Sequence, residues 1–322
     1  MRAVQVVRLE GPSAVELVDI EEPKRGNDQV LIEVGVAGVT FPDVLLTRGD
    51  YQIKPDLPFA PGSEVAGIVR SAPSGVGVHP GARVAAFTGF GGFAELAVAD
   101  RPAVFPLPDS VSLATGASLP MNYFTVHFAL TRRGGLRSGE TVLVHGAAGG
   151  VGAAATQLAS VLGARVIAVV SSEAKAAVAR TAGAADVILA EGFLDAVKDL
   201  TGGRGVDIVV DPVGGDRFTD SLRSLAPEGR MLVVGFAGGQ IPTVKVNRLL
   251  LNNLDVVGVG WGAFWLRRVG YLQEQWADLL PLVDSGQLAP VVSSRYPLEQ
   301  AAAAMAELDE RRAVGQVLLT VK

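Results

Sequence analysis

Residues 141–163 read TVLVHGAAGGVGAAATQLASVLG, and the rest of the chain is arranged around them. The stretch opens on an apolar run, Val142-Leu143-Val144, breaks into glycines, and resumes as an Ala/Leu-rich helical pattern. From Ala147 the turn matches G-x-G-x-x-G/A with alanine in first place, Gly149 in the second and Gly152 in the third. Strand, tight turn and helix in that order are what a pyrophosphate cradle needs. Glycines let backbone N–H groups approach the phosphates, and the helix N-terminus adds partial positive charge. Gly149 permits that approach and Gly152 lets the helix pack closely on its strand. Glycine triplets also occur in structural loops, so the assignment rests on the readable strand before and helix after. Gly146, Ala147, Ala148, Gly149, Gly150, Val151 and Gly152 are the first candidate cofactor contacts.

At 322 residues the chain is long enough for two domains of ordinary size. Its 49% hydrophobic and 19% charged residues describe a folded globular protein. The net charge is −5 and no Lys/Arg block stands out, which argues against nucleic acid as a partner. There is no cysteine, so disulfides, thiolate chemistry and cysteine-based zinc sites are excluded. His79, His127 and His145 are scattered without ligand spacing, and no metal is expected. The opening MRAVQVVRLEG alternates like a strand and lacks the apolar core of a signal peptide. No run of ~18 apolar residues predicts a membrane span. A soluble, cytoplasmic protein is the expectation.

Up to about Arg101 the pattern is short alternating strands between Gly/Pro turns, clearest at 3–7, 15–18, 30–34 and 83–87. Within it, residues 40–55 are less regular and rich in turn formers. Irregular segments on a β scaffold are where binding groups tend to sit. Near Leu113 the composition turns to Ala/Leu; Ser112 can cap a first helix, and 121–132 forms a second. Six Val/Ile/Leu-rich strands then alternate with helices, at 141–145, 165–170, 185–188, 206–210, 230–234 and 254–259. Such a series predicts an α/β fold: a doubly wound, parallel six-stranded Rossmann domain. After Gly260 come an aromatic loop, Trp261 to Trp265, a long helix to about Asp284, a strand at 291–295, an Ala-rich helix and a last strand. These do not extend the series and are assigned back to the N-terminal domain. The expected divisions are 1–120 and 261–322 for a mostly β domain, and 121–260 for the inserted Rossmann domain.

Four motifs carry a resemblance: Tyr51-Gln52-Ile53-Lys54-Pro55-Asp56-Leu57-Pro58-Phe59, Pro61-Gly62-Ser63-Glu64-Val65-Ala66-Gly67, His145 to Gly152, and Asp211-Pro212-Val213-Gly214-Gly215. Over its full length the chain resembles the zinc-free quinone oxidoreductase (zeta-crystallin-like) family of the medium-chain dehydrogenase/reductase superfamily. That resemblance implies a catalytic domain like the small chaperonin (GroES-like), interrupted by the dinucleotide domain, and a homodimer. Zinc-containing relatives carry cysteine, histidine and glutamate ligands; the first two positions match Thr40 and Ser63 here, neither suited to zinc. The family places the tyrosine matching Tyr51 beside the nicotinamide, and Tyr51 could equally be a half-buried loop residue. Thr40 and Asp43 share that segment, and Asp43 could instead cap a turn or helix.

Cofactor choice turns on the end of the second Rossmann strand. An NAD site wants a carboxylate about 20 residues past the glycines, on the ribose 2′-hydroxyl. Val170 stands there, followed by Ser171 and Ser172, with Lys175 a turn on. Two hydroxyls and an ammonium suit a 2′-phosphate, although Ser172 can be read as a helix cap and Lys175 as a solvated lysine. Further cofactor candidates are Asn122 and Thr125, on the helix the family runs past the nicotinamide, Val213, and Gly235, Phe236 and Ala237 after the fifth strand. Trp261 can line the substrate mouth or fill a subunit contact. The expected protein is an NADPH-dependent reductase of quinones, with Tyr51 and Thr40 as catalytic groups and Thr40, Tyr51 and Trp261 touching substrate. The alternatives are reduction of the activated C=C bond of enones, enals or enoyl thioesters, and nucleotide binding without turnover.

Overall fold

A computed structural model describes residues 1–74, 77–268 and 270–322. The chain divides into two compact units, one of residues 1–122 with 268–322, the other of residues 123–267.

The second unit is built on a parallel sheet. Its strands lie in the order Asp186–Leu189, Arg165–Val170, Thr141–His145, Val206–Asp211, Leu225–Val233 and Asp255–Gly258. Numbered along the chain this is 3-2-1-4-5-6, the doubly wound order, with the switch between Thr141–His145 and Val206–Asp211. Three strands are nearly continuous apolar runs because helices cover both sheet faces: Val142, Leu143, Val144, Ile167, Ala168, Ile208 and Val209 are fully buried.

The first unit holds a mostly antiparallel sheet. Its order is Val292–Pro297, Gln316–Thr320, Gln29–Val39, Glu64–Ser71, Arg83–Phe87 and Val104–Pro106, with Leu96–Asp100 also on Gln29–Val39. The last strand returns to the first long one, Val317 opposite Val39 and Leu319 opposite Ala37. Val30, Ile32, Val34, Val65, Val84, Val317 and Leu319 share one core cluster. A hairpin, Arg2–Val6 with Val15–Asp19, completes the β structure. The fold is therefore a doubly wound unit inserted between the two parts of a β unit.

Two expectations are corrected. Residues 40–55 do not run as irregular chain: Phe41–Arg48 is a helix, started by Thr40 and Pro42 and closed by Gly49 in the left-handed region at φ 70°. The aromatic loop is also a helix, Trp261–Trp265. Trp261 meets Phe124 edge-on at 6.2 Å, Phe264 lies 5.0 Å from Phe128, and Arg132 stands 4.5 Å over the Phe264 ring. Residues 124, 128 and 132 follow helical spacing, which continues past His127 as a π-helix over Phe128–Arg133. The aromatic stretch thus holds its helix against the helix that enters the unit.

Candidate functional site

In the second unit the sequence motifs meet at the carboxyl ends of the strands. The glycine turn leaves Thr141–His145 through Gly146, at φ 60°, and the helix Gly150–Val161 starts at Gly149. A Cβ on Gly152 would lie 2.1 Å from the Gly146 carbonyl oxygen, so only glycine lets this helix sit so close to the turn. A Cβ on Gly149 would meet one atom only, the Gly146 oxygen at 3.5 Å. Glycine there leaves room in front of the helix end. That end has no side-chain cap and no acidic residue in its first turn. Its first N–H groups lack intrahelical partners and point where an anion belongs.

Two more turns close on the first. Asp211, buried at the end of its strand, accepts the N–H groups of Val213 (2.8 Å) and Gly214 (2.9 Å) on one oxygen. Burial raises its carboxyl and those two donors oppose the rise. The turn so held places Val213 against Gly146: a Cβ on Gly146 would come within 3.1 Å of Val213 Cγ2. Ala237 N–H donates to Pro212 O (3.1 Å) and Gly238 N–H to Val213 O (2.8 Å), which brings up Gly235, Phe236 and Ala237. Beyond the strand end at Val170, Ser171 is exposed, and Ser172 and Lys175 are half-buried. Ser172 starts the short 3-10 turn Glu173–Lys175 without a side-chain cap bond, and burial lowers the Lys175 ammonium. These groups fit a dinucleotide with a phosphorylated ribose: an uncapped helix start, glycines that leave space, and no strand-end carboxylate.

His145 is packed inside this unit. Its Nε2 lies 2.8 Å from Ser221 Oγ, and Ser221 in turn donates to Arg217 O at 3.0 Å. Ser221's hydrogen is thereby used, so His145 Nε2 must be the protonated nitrogen. Burial holds the ring neutral, down to about 3. Tyr123 donates to Gln157 Oε1 at 2.6 Å and ties the entering helix to the glycine-turn helix. Thr125 is half-buried on that entering helix, Asn122–His127.

In the first unit a buried polar cluster surrounds the position of Thr40. Asp43, with no exposed surface, accepts Thr40 N–H (2.8 Å) and Thr40 Oγ1–H (2.6 Å) on Oδ2, and Gly62 N–H (3.0 Å) on Oδ1. Burial nevertheless pushes its carboxyl up to about 6. Ser63 Oγ is 3.4 Å from Thr40 Oγ1. Glu64 is buried next to it and accepts Met121 N–H at 2.8 Å on Oε2; its Oε1 has no hydrogen bond at normal geometry, although the Gln316 amide lies near. Burial, with Asp43 adding to it, pushes Glu64 up to about 8. Gly38 makes the space, since a Cβ there would fall 2.3 Å from Glu64 Oε1. Asn122, also buried, follows the clamped Met121.

Tyr51 is half-buried against Val6, Leu46 and Phe59. Burial and the Asp43 charge both hold its phenol above the usual range, so it is a donor at neutral pH. Thr40 is committed within this cluster. Its one hydrogen goes to Asp43, so while Asp43 is ionised Thr40 has none to donate elsewhere. Asp43 takes the capping place that sequence offered it as an alternative, with the Thr-x-x-Asp spacing of a capping box; Glu64 was not among the residues weighed individually from sequence.

Thr40 and Ser63, which the family resemblance matches to zinc-ligand positions, bring two neutral hydroxyls, not thiolate or imidazole. That donor set does not fit zinc. Among the described residues no group of three or more His, Cys, Asp or Glu could hold a metal.

A doubly wound unit inserted into a GroES-like β unit, with a glycine turn at the switch point, defines a medium-chain dehydrogenase/reductase. Comparisons agree. Residues 26–109 match the alcohol dehydrogenase GroES-like domain, and residues 150–285 match a family described as zinc-binding dehydrogenase. The chain is 38% identical to rat quinone oxidoreductase-like protein 2, over all of this chain and 92% of that protein. Human quinone oxidoreductase is 33% identical, over 94% of this chain and 92% of that protein. The structure of Escherichia coli quinone oxidoreductase complexed with NADPH superposes with a TM-score of 0.92 at 29% identity, covering 100% of both chains. The protein belongs to the zinc-free quinone oxidoreductase family of the medium-chain dehydrogenases/reductases.

Proposed function

We propose that the protein is a zinc-independent, NADPH-dependent oxidoreductase that reduces quinones. The observation that carries the cofactor is the second strand's end, where Ser171, Ser172 and Lys175 stand in place of a carboxylate. The relatives named quinone oxidoreductase, and the E. coli complex with NADPH, support the reaction. NADPH supplies a hydride from its nicotinamide. The glycine turn Gly146–Gly152 and the helix start hold the pyrophosphate; Lys175 with Ser171 and Ser172 holds the 2′-phosphate. Val213, Gly235, Phe236, Ala237, Asn122 and Thr125 complete the cofactor contacts. Tyr51, kept protonated, donates to the acceptor oxygen, and the chain's main contribution is orientation, which supplies up to ~7–11 kcal/mol for well-placed pairs. Trp261, 5% exposed and packed on Phe124, serves the helix more than the substrate.

A second reading is favoured by the protonated Tyr51 phenol alone: reduction of an activated C=C bond, where a proton donor is needed. One panel separates the two. Quinones, enones and enoyl thioesters are offered with NADPH and with NADH, and products are identified. Quinone turnover with NADPH preference is expected, and turnover confined to enones or enoyl thioesters would overturn it. Elemental analysis of the active enzyme should find zinc well below one per chain, with a rate unchanged by chelator; a tightly held metal whose removal abolishes turnover would refute the zinc-independent assignment.

A further inference from the structure

The Thr40 hydroxyl is the end of a directed hydrogen-bond chain. Asp43 Oδ2 takes both the N–H and the O–H of Thr40, and Oδ1 takes Gly62 N–H. The Gly62 donor is fixed: its φ of 99° and the Phe93 N atom, 2.6 Å from any Cβ placed there, admit glycine alone. Every partner of the ionised carboxylate is a donor, so the Thr40 hydrogen has one place to go. The neighbouring Ser63 hydroxyl, 3.4 Å away, can then only donate to Thr40.

We propose that Asp43 is a positioning residue that sets which way the Thr40 hydroxyl points. With the carboxylate ionised, Thr40 turns its hydrogen inward and has none to donate to a ligand. With the carboxyl protonated, Asp43 becomes the donor and the Thr40 hydrogen is released toward the quinone oxygen. This rests on the proposed quinone reduction and on the expectation from sequence that Thr40, like Tyr51, touches the substrate. A helix cap alone explains the Thr40 N–H bond, but not the commitment of the side-chain hydroxyl to the same oxygen.

The switch falls in a usable range because burial places the Asp43 carboxyl near 6. The titratable groups around it are Glu64 on the adjoining strand and Tyr51 in the following loop; ionised Asp43 raises both. The helix Ala301–Asp309, packed on Phe41–Arg48, brings Glu307 and Asp309. Asp309 is engaged by Arg48, and Glu307 accepts from Ser294 and Tyr296. The 3-10 turn Pro12–Ala14 beside it carries no charge.

The test is the pH profile of kcat/KM for NADPH with 1,4-naphthoquinone, a substrate without its own titration in this range, from pH 5 to 8. The native enzyme should gain about fivefold as pH falls through about 6, the worth of one added hydrogen bond. Thr40→Ser should keep that limb and Thr40→Val should lose it. Asp43→Asn, whose amide can donate to Thr40, should be flat at the upper level; if it does not fold, the Thr40 pair decides. A limb that survives Thr40→Val, or its absence from the native enzyme, overturns the proposal. If the native enzyme does not turn over quinone with NADPH, the functional reading fails instead. The pH dependence of Tm then decides for Asp43: removing the hydroxyl in Thr40→Val should move its midpoint upward, and an unmoved midpoint overturns the proposal.

Discussion

Lys175 carries the proposed cofactor choice at the scale of one side chain. Burial already disfavours its ammonium, and a 2′-phosphate would restore the charge with a charge-assisted bond worth roughly 1.5–3 kcal/mol. Partial exposure pulls the realised value to the low end. Lys175→Ala should therefore weaken NADPH binding roughly tenfold and leave NADH nearly unchanged, as measured by fluorescence titration. Equal losses for both would mean that the lysine serves the fold. Tyr51 makes a graded case. If it only donates one hydrogen bond to a quinone, Tyr51→Phe should cost about fivefold in rate. Tyr51→Ala, which also removes the wall against Leu46 and Phe59, should act chiefly on the acceptor KM. A thousandfold fall in kcat for Tyr51→Phe would make the phenol an obligatory proton donor and favour the C=C reductase.

At the level of elements, Glu64 joins the start of Glu64–Ser71 to the chain entering Asn122–His127 through Met121 N–H. Its carboxyl lies near 8 in the fold against an ordinary 4.5. The folded state thus binds the extra proton, so this contribution to stability is full below about 4.5 and is lost as pH rises through about 8. Tm should fall between pH 6 and 9, and Glu64→Gln should flatten that fall; an unchanged slope would show that Glu64 is not the group titrating. Gly38→Ala, which forces a methyl against Oε1, should destabilise by ~1–3 kcal/mol in denaturant unfolding. These elements also show what the sequence could reveal. Thr141–His145 and Arg165–Val170 were legible to the residue, because strands buried on both faces read as apolar runs between glycine turns. Glu64–Ser71 was not, because Gly67 interrupts it: a Cβ there would fall 2.0 Å from the Glu33 oxygen, and a strand glycine hides the pattern. Phe41–Arg48 looked like loop because its Pro42 sits in the first turn, where proline is favoured. Trp261–Trp265 is a five-residue helix, too short for periodicity to show. The cofactor glycines were readable from local pattern, whereas Asp43 and Glu64 take their chemistry from burial that no local pattern records.

For the whole molecule, the open question of its sheet edge leads to an assembly, and we propose a homodimer. Asp255–Gly258 pairs with Leu225–Val233 on one side only and ends the six-stranded sheet. An apolar edge left open invites uncontrolled pairing. In sequence around this edge, Ile241, Val246, Leu250 and Leu251 are each more than 70% exposed, and Val256 on the strand itself is 37% exposed. Scattered exposed leucines need no explanation, but four such side chains within eleven residues, followed at once by an edge strand, do. A second copy across a twofold axis answers both features, because the same strand and the same apolar residues are then supplied twice. Light scattering at micromolar concentration should give twice the mass of the chain. Leu250→Glu with Leu251→Glu should shift the protein to monomer, because charge in a buried self-complementary contact is repeated in both copies and left unpaired. Val257→Pro, which removes a donor on the side facing Leu225–Val233 and so disrupts the edge strand, should give monomer or aggregate. A native protein that runs as a monomer at these concentrations would rule the dimer out, and the exposed leucines would then need a different partner.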